Sequence, residues 1–135
     1  MNWICAVSTV FAMVALGTPA RAAIPDCPAP AGAAKAALPS GLPAALRDKM
    51  GKVALPGEAF NTIDVYVKGQ PNRRYIFVWN IGARWIVATE VGGIALRAAV
   101  SMYDLGNDGK TAKLLDERMT SPTYACAVAT KLAGP

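Results

Sequence analysis

The sequence predicts an α+β fold: an antiparallel meander of about five strands, one or two short helices packed on it, and a single disulfide. Three observations carry this. Arg73 to Tyr103 reads RRYIFVWNIGARWIVATEVGGIALRAAVSMY, three runs of β-branched and aromatic residues separated by short glycine turns. The tail from Ser121 carries helix start and stop residues. Two cysteines, Cys27 and Cys126, lie near the two ends of the chain once an N-terminal leader is set aside.

The totals bound the rest. A chain of 135 residues is a single domain by size. It is 53% hydrophobic and 17% charged, and it contains no histidine. That removes the commonest general base and metal ligand, and with it the Ser–His and Cys–His nucleophile pairs.

Residues 1–22 read as a secretory signal peptide. Trp3 to Leu16 is apolar apart from Ser8 and Thr9, Gly17-Thr18-Pro19 breaks the run, and Ala20-Arg21-Ala22 offers a small-residue cleavage site after Ala22. The run is shorter than the roughly 20 apolar residues that span a bilayer. The location this predicts is periplasmic or secreted. Cleavage removes Cys5 and leaves Cys27 and Cys126. An even count in an exported chain argues for one bridge. It would close a loop of about 100 residues, for which chain entropy gives roughly 4–5 kcal/mol. Of the 14 basic residues only Arg21 is lost, so 13 remain against 9 acidic ones, a net charge of +4. That balance suits weak attraction to anionic surfaces and does not argue for nucleic acid.

Residues 23–41 are a proline- and alanine-rich arm of extended character, pinned by Cys27. Residues 42–135 form the α+β domain. Its first element is a short helix within Ser40 to Gly51: Pro43 suits the first turn, Leu42, Leu46 and Met50 share a stripe, and Gly51 stops it. Phe60 to Lys68 alternates, with Ile63, Val65 and Val67 on one side, and reads as a half-buried strand.

In the meander, Trp79-Asn80-Ile81-Gly82 fits a three-residue hairpin closed by a left-handed glycine. That register sets Trp79 opposite Ala83, Phe77 opposite Trp85 and Tyr75 opposite Val87. Gly92-Gly93 fits a two-residue turn that sets Val91 opposite Ile94 and Val87 opposite Ala98. One face then collects Tyr75, Phe77, Trp79, Trp85, Val87, Leu96, Val100 and Met102 as the core. The other collects Arg74, Arg84, Glu90 and Arg97 around an apolar strip of Ile76, Val78 and Ile86.

Asp104 to Lys110 half-matches a calcium loop. However, Gly106 occupies a ligand position, and Leu115 stands where the bidentate glutamate belongs, so a plain hairpin loop is the better reading. Thr111 to Met119 is a fifth strand at an edge, where Lys110, Lys113 and Arg118 discourage pairing. Residues 122–133 suit either a strand or a helix. Ser121 as cap, Pro122 at the first position, the alanines and Gly134-Pro135 favour helix, with a Tyr124, Val128, Leu132 stripe on the sheet.

Arg74, Arg84 and Arg97, with Glu90 beside them, are the candidate anion or partner surface, since arginine forks hold carboxylate, sulfate or phosphate. Cross-strand ion pairing on a solvated face explains the same residues without a ligand. Trp79 and Trp85 suit a core more than an aromatic platform. Asp64, Glu90, Asp104 and Asp108 scatter over different elements, and nothing brings two of them to glycosidase spacing. No phosphate-binding glycine loop, nucleophile elbow or metal-ligand spacing is visible. The residues therefore predict no cofactor and no metal. They predict a small exported non-catalytic accessory protein that binds another protein or a small anionic ligand, with at most weak membrane contact. The competing readings are a small carboxylate-based hydrolase and a form that keeps its signal as a membrane anchor.

Overall fold

The computed structural model describes residues 26–62 and 66–135. The predicted signal peptide and its cleavage site lie outside the described residues, as do Ile63 and Val65 of the predicted strand. The fold is α+β. Strands β1 (Ala34–Lys35), β2 (Arg73–Ile81), β3 (Arg84–Val91), β4 (Arg97–Leu105) and β5 (Ala112–Thr120) form one antiparallel sheet in the order β1-β2-β3-β4-β5. Helix α1 spans Ala44–Met50 and helix α2 spans Ala125–Ala133, preceded by a 3₁₀ turn at Pro122–Tyr124. Among the described residues, no helix is long and apolar enough to cross a membrane.

Cys27 and Cys126 are bonded, with Cα atoms 5.6 Å apart across a sequence separation of 99. An intact disulfide is compatible with an oxidising compartment. The bridge ties the arm to α2. From Cys27 the arm crosses the α2 side of the sheet, and Ala29 and Ala33 pack there. It then pairs with β2 as β1, Ala34 opposite Asn80 and Lys35 opposite Trp79. Beyond β1, Ala36 and Leu38 pack on the opposite face. The arm thus wraps the β2 edge and supplies a strand, where the sequence suggested only an extended tether.

The predicted strand at Phe60 to Lys68 is not one at its described positions. Asn61, 6% exposed, explains the difference. Its side chain accepts the Val67 N–H at 2.9 Å and donates to Asn72 Oδ1 at 2.8 Å and the Gln70 carbonyl at 3.2 Å. One amide side chain satisfies main-chain groups at Val67 and Gln70 that a neighbouring strand would otherwise take.

Both hairpin registers differ from the sequence reading. Ile81 pairs with Arg84, so Gly82-Ala83 is a two-residue turn with Gly82 at φ 62° in the first central position, where a glycine matches the strand twist. This places Trp79 opposite Ile86 and Phe77 opposite Ala88. A bulge between Tyr75 and Phe77 turns Tyr75 to the other face. At the second hairpin Val91 pairs with Arg97, and residues 92–96 are all loop. Gly92 is taken up by a tertiary contact: a Cβ there would lie 1.5 Å from the Asn61 carbonyl oxygen, and the Gly92 N–H donates to the Asn72 carbonyl at 2.9 Å.

With these registers the sheet has two buried faces. On one, Phe77, Trp79, Ile86, Ala88, Ala98 and Val100 meet Cys27, Ala125 and Ala129. Phe77 and Trp79 stack with ring centroids 4.7 Å apart, and the buried Trp79 indole N–H has no hydrogen-bond partner among the described residues. On the other, Tyr75, Val78, Trp85, Val87 and Tyr103 meet Leu42 and Leu46 of the α1 region. The predicted division into a core face and an arginine-rimmed face is therefore replaced by two cores. The α2 stripe is also rotated: Ala125 and Ala129 are buried, Val128 and Leu132 pack beside them, and Tyr124 is exposed. Alanines let the helix approach the sheet closely, and the disulfide at Cys126 holds that side inward.

Candidate functional site

The arginines proposed from sequence do not converge. Arg74 pairs with Glu90 across β2 and β3. Its Nε donates to Glu90 Oε2 at 2.7 Å, its Nη1 donates to the Glu58 carbonyl at 3.2 Å, and its guanidinium carbon lies 4.5 Å from the Phe60 ring centroid. Glu90 is 1% exposed. This is a satisfied, largely buried ion pair, and its donors are committed within the fold. Arg84 lies at the opposite end of β3, opposite Asp104. At about 3.3 Å per residue the span from Glu90 is roughly 20 Å. Arg97 pairs with Val91, one position beyond the Glu90–Ala98 pair, and so belongs to the opposite face from Arg74.

Arg97 lines a hollow at the end of β5, beside a groove that carries other cations. A groove of 420 Å³ between α2 and β5 is lined by Arg118, Met119, Thr120, Val128, Lys131 and Leu132. An adjoining hollow of 350 Å³ is lined by Ala95, Leu96, Arg97, Met119, Thr120 and Ser121. The two share Met119 and Thr120. Every charged residue lining them is basic, over a floor of leucine, valine and methionine. Arg118 also holds Asp116 through a fork at 2.9 and 3.0 Å, and these hydrogen bonds keep the Asp116 carboxyl below the usual carboxylate range.

Among the described residues, the β5 strand beside the groove is a free edge. None of its nine residues is buried, and Leu114, Leu115 and Met119 are exposed. Ser101 on β4 donates to Glu117 Oε2 at 2.7 Å, with Arg73 at 3.8 Å, so Glu117 is engaged on the α1 side. Asp104, one of the scattered acids, sits within β4 opposite Lys113. Asp108 accepts the Lys110 N–H at 2.9 Å within the β4–β5 hairpin loop.

Sequence reasoning missed Arg118 and Lys131, the two cations that line the groove. Val128, Lys131 and Leu132 share helical spacing and were findable once the tail is read as a helix. Arg118 was not, because its position on the α2 face follows from the β4–β5 register. No protein family, curated protein or solved structure matches this chain.

Proposed function

We propose that this is a small exported accessory protein that has no catalytic role and binds an acidic, extended segment of a partner polypeptide along β5. One observation carries the reading: among the described residues, a nine-residue free edge strand borders a groove whose charged lining residues, Arg118 and Lys131, are both basic. A free edge offers main-chain donors and acceptors to an added strand, and pockets beside it select alternate side chains. Acidic side chains of such a segment would reach Arg118 and Lys131, and apolar ones would cover Met119, Val128 and Leu132. The Cys27–Cys126 bridge supports an oxidising location, in line with the signal-like leader.

The test is fluorescence anisotropy of the exported protein with a labelled peptide of alternating valine and aspartate, beside its valine–lysine counterpart. The acidic peptide is expected to bind, and the double variant Arg118→Glu/Lys131→Glu to weaken it at least tenfold. Equal binding of the two peptides, or no loss in the variant, refutes the reading.

A further inference from the structure

Two loops at one end of the sheet present apolar side chains to solvent, and both are held by the same buried residue. Loop 66–70 precedes β2, and loop 92–96 joins β3 to β4. Asn61 takes the Val67 N–H and donates to the Gln70 carbonyl and to Asn72. Gly92 packs directly on the Asn61 carbonyl and donates to the Asn72 carbonyl. The network fixes the base of both loops side by side. Their outer residues are left uncovered: Ile94 is 91% exposed, Tyr66 68%, Val67 45% and Leu96 37%. Exposed apolar side chains usually occur singly and need no explanation. Here they are grouped on a braced tip.

Within the two loops the charge is basic. Neither loop contains an acidic residue, Lys68 and Arg97 are exposed at their margins, and Lys52 donates its Nζ to the Gly69 carbonyl. The surface is made of two exposed loop ends at one end of the sheet. Exposed aliphatic residues with a tyrosine and a cationic margin match the layered chemistry of a bilayer interface, with acyl boundary, headgroup level and anionic surface in turn.

We propose that loops 66–70 and 92–96 form a tip that docks the protein peripherally on an anionic lipid surface, with Ile94 and Tyr66 entering the interface and Lys68 and Arg97 against the headgroups. This is independent of peptide binding at β5.

The experiment is co-sedimentation of the exported protein with vesicles of phosphatidylcholine containing phosphatidylglycerol, against vesicles of phosphatidylcholine alone. Binding is expected only with the anionic lipid, and it should weaken as salt rises. Ile94→Asp should lower the partition coefficient at least tenfold. Lys68→Glu should lower it several-fold, whereas Lys110→Glu, the same charge change in the β4–β5 loop at the other end of the sheet, should leave it within twofold. Circular dichroism confirms that each variant is folded, which is expected because these positions are exposed. An Ile94→Trp variant reports depth directly, by a blue shift on the anionic vesicles. Absence of binding to the anionic vesicles overturns the proposal. So does Ile94→Asp binding as well as the unaltered protein, or Lys68→Glu and Lys110→Glu losing equally, since attraction then follows net charge and not the tip.

Discussion

The two edges of the sheet are treated differently. The β2 edge is closed along most of its length. Lys35 and Ala34 pair with Trp79 and Asn80, Ala36 donates to the Val78 carbonyl, and Ala54 bridges Arg73 and Tyr75 with two hydrogen bonds of 2.9 Å. The β5 edge carries nine residues and no covering segment among the described residues. The difference follows from where the chain is tethered. The arm before β1 is held by Cys27, so its path along β2 is determined at one end. The chain after β5 enters α2, which turns back over a face and leaves the edge beside it open. Lysine and arginine at positions 113 and 118, with a bulge between Met102 and Tyr103 in the pairing, are the devices that keep such an edge from pairing indiscriminately.

The largest expected effect lies at the closed edge. Arg74→Ala would leave Glu90 buried without its guanidinium and is expected to cost about 3–5 kcal/mol. Urea denaturation measures it, and a loss below about 1 kcal/mol would show that the Glu90 carboxylate finds solvent or other donors at little cost.

Next is the tether. Cys27→Ser/Cys126→Ser is expected to lose about 2–5 kcal/mol. The same variant should expose the Ala36 amide to faster hydrogen exchange, while amides shared by β3 and β4 change only with global stability. If the Ala36 amide stays as protected as those of β3, the arm holds the edge without the bridge, and the contrast between edges has another cause.

A pH series probes the face that the closed edge shares with α1. Burial raises the pKa of Tyr75 and of Tyr103 above the ordinary tyrosine value. In the unfolded chain these phenols ionise near pH 10, while in the folded chain they stay protonated to higher pH. Above that point the unfolded state binds fewer protons, so the tyrosines leave stability unchanged at neutral pH and lower it above about pH 10. Tyr103→Phe should reduce the slope. An unchanged slope would mean that other groups drive the alkaline transition.

The smallest effect belongs to the open edge. Leu115→Thr on β5 is expected to change stability by no more than about 0.5 kcal/mol, because its side chain is exposed. A cost near that of a core leucine, about 2–5 kcal/mol, would mean that the edge is covered in solution.

Much of this was legible in the residues. With Cys5 assigned to the predicted leader, the even count of the remaining cysteines pointed to the Cys27–Cys126 bridge. Leu42 and Leu46 marked the packing side of α1, and Ser121-Pro122 with Gly134 marked α2. The strand runs from Arg73 to Tyr103 stood out by composition. The registers did not, because Gly82 and Gly92 each serve more than one turn, and a shift by an odd number of residues moves partners between faces. At its described positions, Phe60 to Lys68 is not a strand, for a related reason. Its alternation is real, but Asn61 takes up groups that adjoin it only in three dimensions. The same limit applied to the candidate site. Arg74 and Arg97 were picked out by type, yet Arg74 is committed to Glu90, and Arg97 lines a hollow beside the Arg118 and Lys131 groove, a placement that local pattern does not encode.

What the sequence alone determined was the class of fold, the bridge and the identity of most elements, since these depend on periodicity, caps and counts within a short window. Only the tertiary structure decided that the meander at Arg73 to Tyr103 has two buried faces in place of one, and that the arm closes one edge. It alone placed the basic groove at the other edge, and set the Ile94 and Tyr66 loops together over Asn61. Those outcomes depend on which residues meet across a turn, and a turn glycine is permissive by nature. The choice among its conformations is made by contacts far away in the chain.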